Sequence, residues 1–203
     1  MSVIHFEVLV EEPSMEAALS IILPPILGDI THAIYPFQCK QDLLEKLPER
    51  LCAYASWLPT DWRLVVVVDR DDDNCTELKA DLENVAAVCG LRTRSTATKG
   101  EVYSVVNRLA IEELEAWYFG DWQAVKTAYP RVPATIPKKA GYRNPDAIAG
   151  GTWEAFERVM QRAGYFHSGL RKIEAARAIT PHMNPALNSS TSFQALHAAF
   201  GGR

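Results

Sequence analysis

The sequence has no uninterrupted apolar run of the 18 or so residues needed to cross a bilayer. The nearest, Ile21 to Leu27, is broken by Pro24-Pro25. No basic segment followed by an apolar core opens the chain, so no signal peptide is expected, and the chain reads as cytoplasmic. There is no Cys-x-x-Cys pair. Cys39, Cys52, Cys75 and Cys89 stand far apart and read as reduced thiols, neither a zinc site nor a disulfide frame. The histidines at 5, 32, 167, 182 and 197 form no His-x3-His pair, and no repeat or low-complexity tract occurs.

The 203 residues suffice for one α/β domain, or one plus a small appendage, and a hydrophobic share of 48% is enough for a real core. The net charge of −4 conceals an asymmetry. Residues 1–130 carry 11 basic against 21 acidic side chains, a net of −10, while residues 131–203 carry 10 against 4, a net of +6. An acidic front and a basic back suit a metal site beside an anion-binding surface, and suit equally two halves that attract each other.

The most informative stretch is Val65-Val66-Val67-Val68-Asp69-Arg70-Asp71-Asp72-Asp73. Four valines predict a strand buried on both faces, as in a parallel sheet. Four aspartates cannot share that burial, so they mark the strand's C-terminal end, where open α/β sheets bind ligands. Crowded carboxylates repel and raise each other's pKa, and a divalent cation with oxygen ligands relieves the repulsion.

Around it, Val3–Val10 predicts a first strand ending in Glu11-Glu12-Pro13-Ser14, with Ser14 as helix N-cap and a helix that stops at Pro24-Pro25. A weaker strand is expected over Ile30–Phe37, and an amphipathic helix over Asp42–Trp57, kinked or split at Pro48. Asp73 or Asn74 caps a helix that runs to Cys89 and ends at Gly90. Strands follow over Leu91–Ala97 and Val102–Ile111, and from Glu112 the pattern turns helical. The order calls for a parallel sheet of about four to five strands with helices on both faces. The α/β domain is placed at 1–121, and a C-terminal helical extension packed on it at 122–203.

In a right-handed doubly wound sheet the ends of the first and third strands can be neighbours. That would set Glu11 beside Asp69 and Asp71, which point the same way and can share a metal. Glu11 could hold a second metal or act as general base. Such a constellation suits phosphoryl transfer. Asp73 is a further candidate ligand or a cap, and Glu115 a candidate ligand or part of an acidic first helical turn. Lys99, Arg108, Lys138, Lys139, Arg143, Arg171 and Lys172 could contact phosphates, with Tyr142 as a stacking ring beside Lys138-Lys139. Trp117, Trp122 and Trp153 read as core.

The segments Leu9-Val10-Glu11-Glu12-Pro13-Ser14 and Val67-Val68-Asp69-Arg70-Asp71 resemble the Toprim family of topoisomerases, primases and overcoming-lysogenization-defect nucleases. There one strand ends in Glu and a later one in Asp-x-Asp. Family members usually carry Gly where this chain has Glu12. Glu115-Ala116-Trp117 and then Asp121, with an echo in Ser192-Phe193, are similar to a stand-alone Toprim-like family of unassigned function. The resemblance implies a Toprim-like fold and Mg2+- or Mn2+-dependent cleavage of DNA or RNA. It makes Glu11, Asp69 and Asp71 the catalytic and metal-holding residues, with Asp73 and Glu115 as further ligands. Lys99, Lys138, Lys139 and Arg143 would then meet nucleic acid. It also implies an AAA-type ATPase partner in phage defence.

Two other readings use the same residues. One is a catalytically inactive Toprim-like scaffold that binds the ATPase. The other is a receiver-like phosphoacceptor module, with Glu11-Glu12, Asp69 and Lys99 in the roles of acid pair, acceptor and lysine. An EF-hand fails because Asn74 and Ala80 occupy the positions of its Gly and Glu. A haloacid-dehalogenase phosphatase would carry its Asp-x-Asp on the first strand, and a sugar-nucleotide transferase would leave Glu11 without a role.

Overall fold

The computed structural model describes residues 2–71, 73–111 and 113–201, so Asp72 and Glu112 of the acidic segments lie outside the described residues. Four strands form one sheet: β1 (His5–Val10), β2 (Thr31–Pro36), β3 (Trp62–Asp69) and β4 (Val105–Ala110). Their order is β2-β1-β3-β4 and every pairing is parallel. Adjacency of β1 and β3 sets Val10 beside Val67, so both acidic strand ends emerge on the same rim.

The valine run behaves as its composition requires. Val65 and Val67 enter one core and Val66 and Val68 the other, all fully buried. Each such burial contributes about 1.5–3 kcal/mol against an exposed side chain. The second face is covered by α2 (Lys40–Ala55) and α3 (Cys75–Val88), through Leu43, Leu47, Leu51, Leu78 and Leu82. The first is covered by α1 (Pro13–Leu27) together with α4 (Leu114–Gly120), α5 (Trp122–Ala128), α6 (Thr152–Arg162), α7 (Lys172–Ile179) and α8 (Thr191–Ala199). These C-terminal helices share one apolar core with β1, β3 and β4.

Several local expectations give way. Helix α1 runs through Pro24 and Pro25. Both prolines are exposed, so the carbonyls they deprive of a donor can be hydrated, while Leu19, Ile22, Leu23 and Leu27 hold the last turn to the core. Pro48 likewise sits on the exposed side of an unbroken α2. Glu12, not Ser14, is the N-cap of α1, Pro13 opens the helix, and the buried Ser14 hydroxyl donates to the Glu12 carboxylate. Asn74 caps α3, accepting from the Thr76 and Glu77 amides.

Leu91–Ala97 is not a strand. Only Thr93 makes a bridge, to Val105, because the Thr93 hydroxyl turns to Glu83 and residues 94–96 fold back in a turn. Cys52 and Cys89 are joined in a disulfide that ties α2 to the end of α3, while Cys39 and Cys75 are free and exposed. The reading of four reduced thiols therefore fails for two of them, since helix packing closes a 37-residue separation that spacing alone did not reveal. Among the described residues no helix is long and apolar enough to cross a membrane.

One polar clamp fixes the C-terminal helices. The Asp146 carboxylate accepts from the hydroxyls of Ser190 (2.8 Å), Thr191 (2.7 Å) and Ser192 (2.8 Å) and from the Thr191 amide (2.6 Å). It thereby caps α8 from a segment some 45 residues earlier.

Candidate active site

Glu11 follows β1 directly and Asp69 is the last residue of β3. The Asp69 amide donates to the Glu11 carboxylate at 2.8 Å, which locks the two acidic strand ends together. Glu11 is 8% exposed and Asp69 3%. Strand alternation sends the Asp69 side chain to the face of Val65 and Val67, where α4 brings Glu115. Glu115 is fully buried, and both its carboxylate oxygens lack a protein partner, as do Asp69 Oδ1 and the Tyr118 hydroxyl.

The electrostatics follow from that crowding. Burial pushes Glu11 up to about 7, against the lowering effect of the Asp69 amide, and the Asp71 and Glu12 charges add to the rise. Burial also lifts Glu115 to about 7, opposed by Lys172 and helped by Glu113. Asp69 is raised well above the ordinary range by burial and then by Glu11, Glu12 and Glu115. Burial alone would depress Lys172, yet the carboxylates of Glu115, Glu12, Asp69 and Glu113 outweigh it and hold the ammonium firmly protonated. Its Nζ lies 3.4 Å from Glu12. Glu113, also raised by burial, accepts from the Trp153 amide (2.8 Å) and the Thr152 hydroxyl (3.0 Å).

The Asp-x-Asp pair does not act as a pair. Asp71 is exposed, takes a left-handed backbone (φ 49°), and binds Lys40 Nζ at 2.6 Å. Lys40 also holds Asp73 (3.0 Å) and the Arg70 carbonyl (3.0 Å). The left-handed turn breaks the alternation that would have kept Asp69 and Asp71 side by side. So the fold brings the charges of both Glu11 and Glu115 to bear on Asp69 and assigns Asp71 and Asp73 to Lys40. Asp71 still acts on Glu11 through its charge. Among the described residues no three His, Cys, Asp or Glu side chains stand ready to hold a metal ion. The unpartnered buried oxygens of Asp69 and Glu115 are chemically of the kind that Mg2+ and Mn2+ take as ligands.

Glu12, Lys40, Glu113 and Tyr118 complete the neighbourhood, and of these the sequence points only to Glu12. Lys172 is expected from sequence only to contact phosphate. No local signal could have found it, for 160 residues separate it from Glu12. Lys138, Lys139 and Arg143 are exposed in the 131–151 segment. Tyr142 already stacks on Phe119, with centroids 5.4 Å apart. Lys99 is exposed in the connection leading to the start of β4, whereas the acids gather at strand ends. Trp117 and Trp122 are core, but Trp153 is half-buried beside a cleft.

The family model described as "Domain of unknown function (DUF4276)" matches residues 10–200. This chain belongs to the DUF4276 family. The DUF4276 match takes in both acidic strand ends, Glu115 and Lys172, so the rim and the C-terminal helices fall within a single family unit. No curated protein and no solved structure matches this DUF4276 chain.

Proposed function

We propose that this chain is a Toprim-like, metal-dependent phosphodiester hydrolase acting on DNA or RNA in the cytoplasm. The observation that carries the reading is the set of buried, unpartnered oxygens of Asp69 and Glu115 beside a Glu11 anchored to the Asp69 amide. Asp69, Glu11 and Glu115 would hold Mg2+ or Mn2+, with Asp71 reached on release from Lys40. The ion supplies charge neutralisation at the phosphate and a more acidic bound water.

The residues do the remainder. Glu11, raised to about 7, exchanges a proton near neutral pH and fits the part of general base. The Asp69 amide fixes its orientation. Lys172 offsets charge that accumulates on the rim. Such a hydrolase has an AAA-type ATPase as its proposed partner in phage defence.

The full chain, incubated with labelled DNA and RNA in Mg2+ or Mn2+, is expected to cleave, and chelation to stop it. Asp69→Asn and Glu11→Gln are each expected to slow cleavage at least about 100-fold with the fold intact. Cleavage by Asp69→Asn at the wild-type rate sinks the mechanism.

Lys40 is expected to compete with the ion for Asp71. Lys40→Met removes a charge-assisted hydrogen bond of about 1.5–3 kcal/mol, so Mn2+ affinity measured by calorimetry is expected to rise about tenfold. The gain vanishes in an Asp71→Asn background. Unchanged affinity in Lys40→Met alone excludes Asp71 from the ligand set.

A second reading is supported by the same lysines. Lys40 and Lys172 already neutralise part of the rim, which suits a non-cleaving scaffold that binds the ATPase. That scaffold would co-purify with the ATPase and show no metal-dependent cleavage.

A further inference from the structure

Two clefts flank the acidic rim. One, of about 910 Å³, lies between the start of α1 and α7 and is bounded by Glu12, Lys172, Arg171 and Arg177. The other, of about 710 Å³, lies beyond β3 and is bounded by Asp71, Glu113, Trp153 and the backbone of Gly150-Gly151. A residue of each lining meets the other, the Lys172 ammonium lying 6.0 Å from the centre of the Trp153 ring. Trp153 is half-buried, unlike the core residues Trp117 and Trp122.

Building on the hydrolase reading above, we propose that the two clefts are halves of one trough, and that a single-stranded polynucleotide lies along it across the carboxylates. Arg171, Lys172 and Arg177 supply cations for backbone phosphates in the first half. Their present partners are acids: Glu174 for Arg171, at 2.9 Å, and Glu12 for Lys172. A phosphate offers the same oxygens in the same geometry, and the arginine fork takes it bidentately. At the waist the indole of Trp153 offers a face on which any base can stack. In the second half Gly150, at φ 79°, presents backbone with open space over it, so a chain can approach closely there, whereas the Glu154 carboxylate covers Gly151. A base can stack on the indole only when it is unpaired, which favours a single strand over a duplex. The exposed Lys138, Lys139 and Arg143 have no part in this path.

The test is fluorescence anisotropy of the full chain in EDTA, so that nothing is cleaved, with labelled oligothymidylate, oligouridylate and a DNA duplex. One of the single strands is expected to bind at least about tenfold more tightly than the duplex, and which one distinguishes DNA from RNA. Trp153→Ala is expected to weaken that binding about tenfold, with Trp153→Phe restoring most of it. Arg171→Ala combined with Arg177→Ala is expected to lower the slope of log affinity against log salt by about 1.4, the share of two phosphates on a single strand. Lys138→Ala with Lys139→Ala leaves both quantities unchanged.

Wild-type binding by Trp153→Ala and by the double arginine variant overturns the trough, as does a preference for duplex. The arginine variant keeps the question open to test if Trp153→Ala fails to fold. If those variants bind normally while the wild type cleaves in Mg2+, the trough falls and the hydrolase stands. If they lose binding while no metal supports cleavage, the trough stands and the hydrolase falls.

Discussion

In metal-free buffer the melting temperature is expected to fall by at least about 6–12 °C, the share of one raised carboxyl, between pH 4.5 and pH 8, and Mg2+ or Mn2+ to restore much of it. Glu11 and Glu115 each rise from an ordinary 4.5 to about 7 in the folded chain. A carboxyl raised in this way stays protonated in the fold while the unfolded chain ionises, so the folded state binds more protons across that interval. Its stabilising contribution is complete below pH 4.5 and is lost as pH climbs through about 7. The loss is about 3 kcal/mol for one such group, and for a chain of this length each kcal/mol is worth about 2–4 °C. Asp69 is raised too and slopes the same way. Glu83, lowered overall by Lys79, Thr93 and Asn107 despite partial burial, slopes oppositely, as does the half-buried His32, lowered by burial and by His5. A cation bound only by the folded rim stabilises by about 2.7 kcal/mol at a hundred times its dissociation constant. A melting temperature that is flat or rises over this interval would remove the crowded rim from the account.

Lys172→Met is expected to destabilise the chain by about 2–3 kcal/mol at pH 8 and by less than about 1 kcal/mol at pH 5. At the higher pH it leaves Glu115, Glu12, Asp69 and Glu113 without the cation that offsets them. Removing one partner from a fully buried ion pair costs about 3–5 kcal/mol. The Lys172 side chain is 31% exposed, which places the cost below that range. At pH 5 Glu115, raised to about 7, is protonated, so the largest of the charges that Lys172 offsets is gone. Urea midpoints at the two pH values measure the difference, and Lys172→Arg is expected to recover most of it. Equal losses at both would assign Lys172 to packing alone.

Much of the scaffold was legible because oil is easier to read than geometry. The valines of β3 and the alternation of β1 specify two-sided burial, and parallel pairing then sets Glu11 against Asp69. What could not be read depends on single backbone angles and on distant partners. Asp71 alternates correctly on paper and is turned away by a positive φ. Lys40 and Lys172 reach the rim from 31 and 160 residues away, from Asp71 and Glu12 respectively. The prolines of α1 misled for a different reason. A proline breaks a helix when the freed carbonyl is buried, and exposure of Pro24 and Pro25 cannot be judged before the fold is known.

The Asp146 clamp constrains how the molecule can be shortened. Its acceptor oxygens hold residues 190–192, and the neighbouring 147–151 segment is a wall of the cleft beside Trp153. A version trimmed before Ser190 would strand that carboxylate and loosen the cleft from behind, so a tail that looks expendable in a linear drawing is the doorpost of the cleft beside the acidic rim.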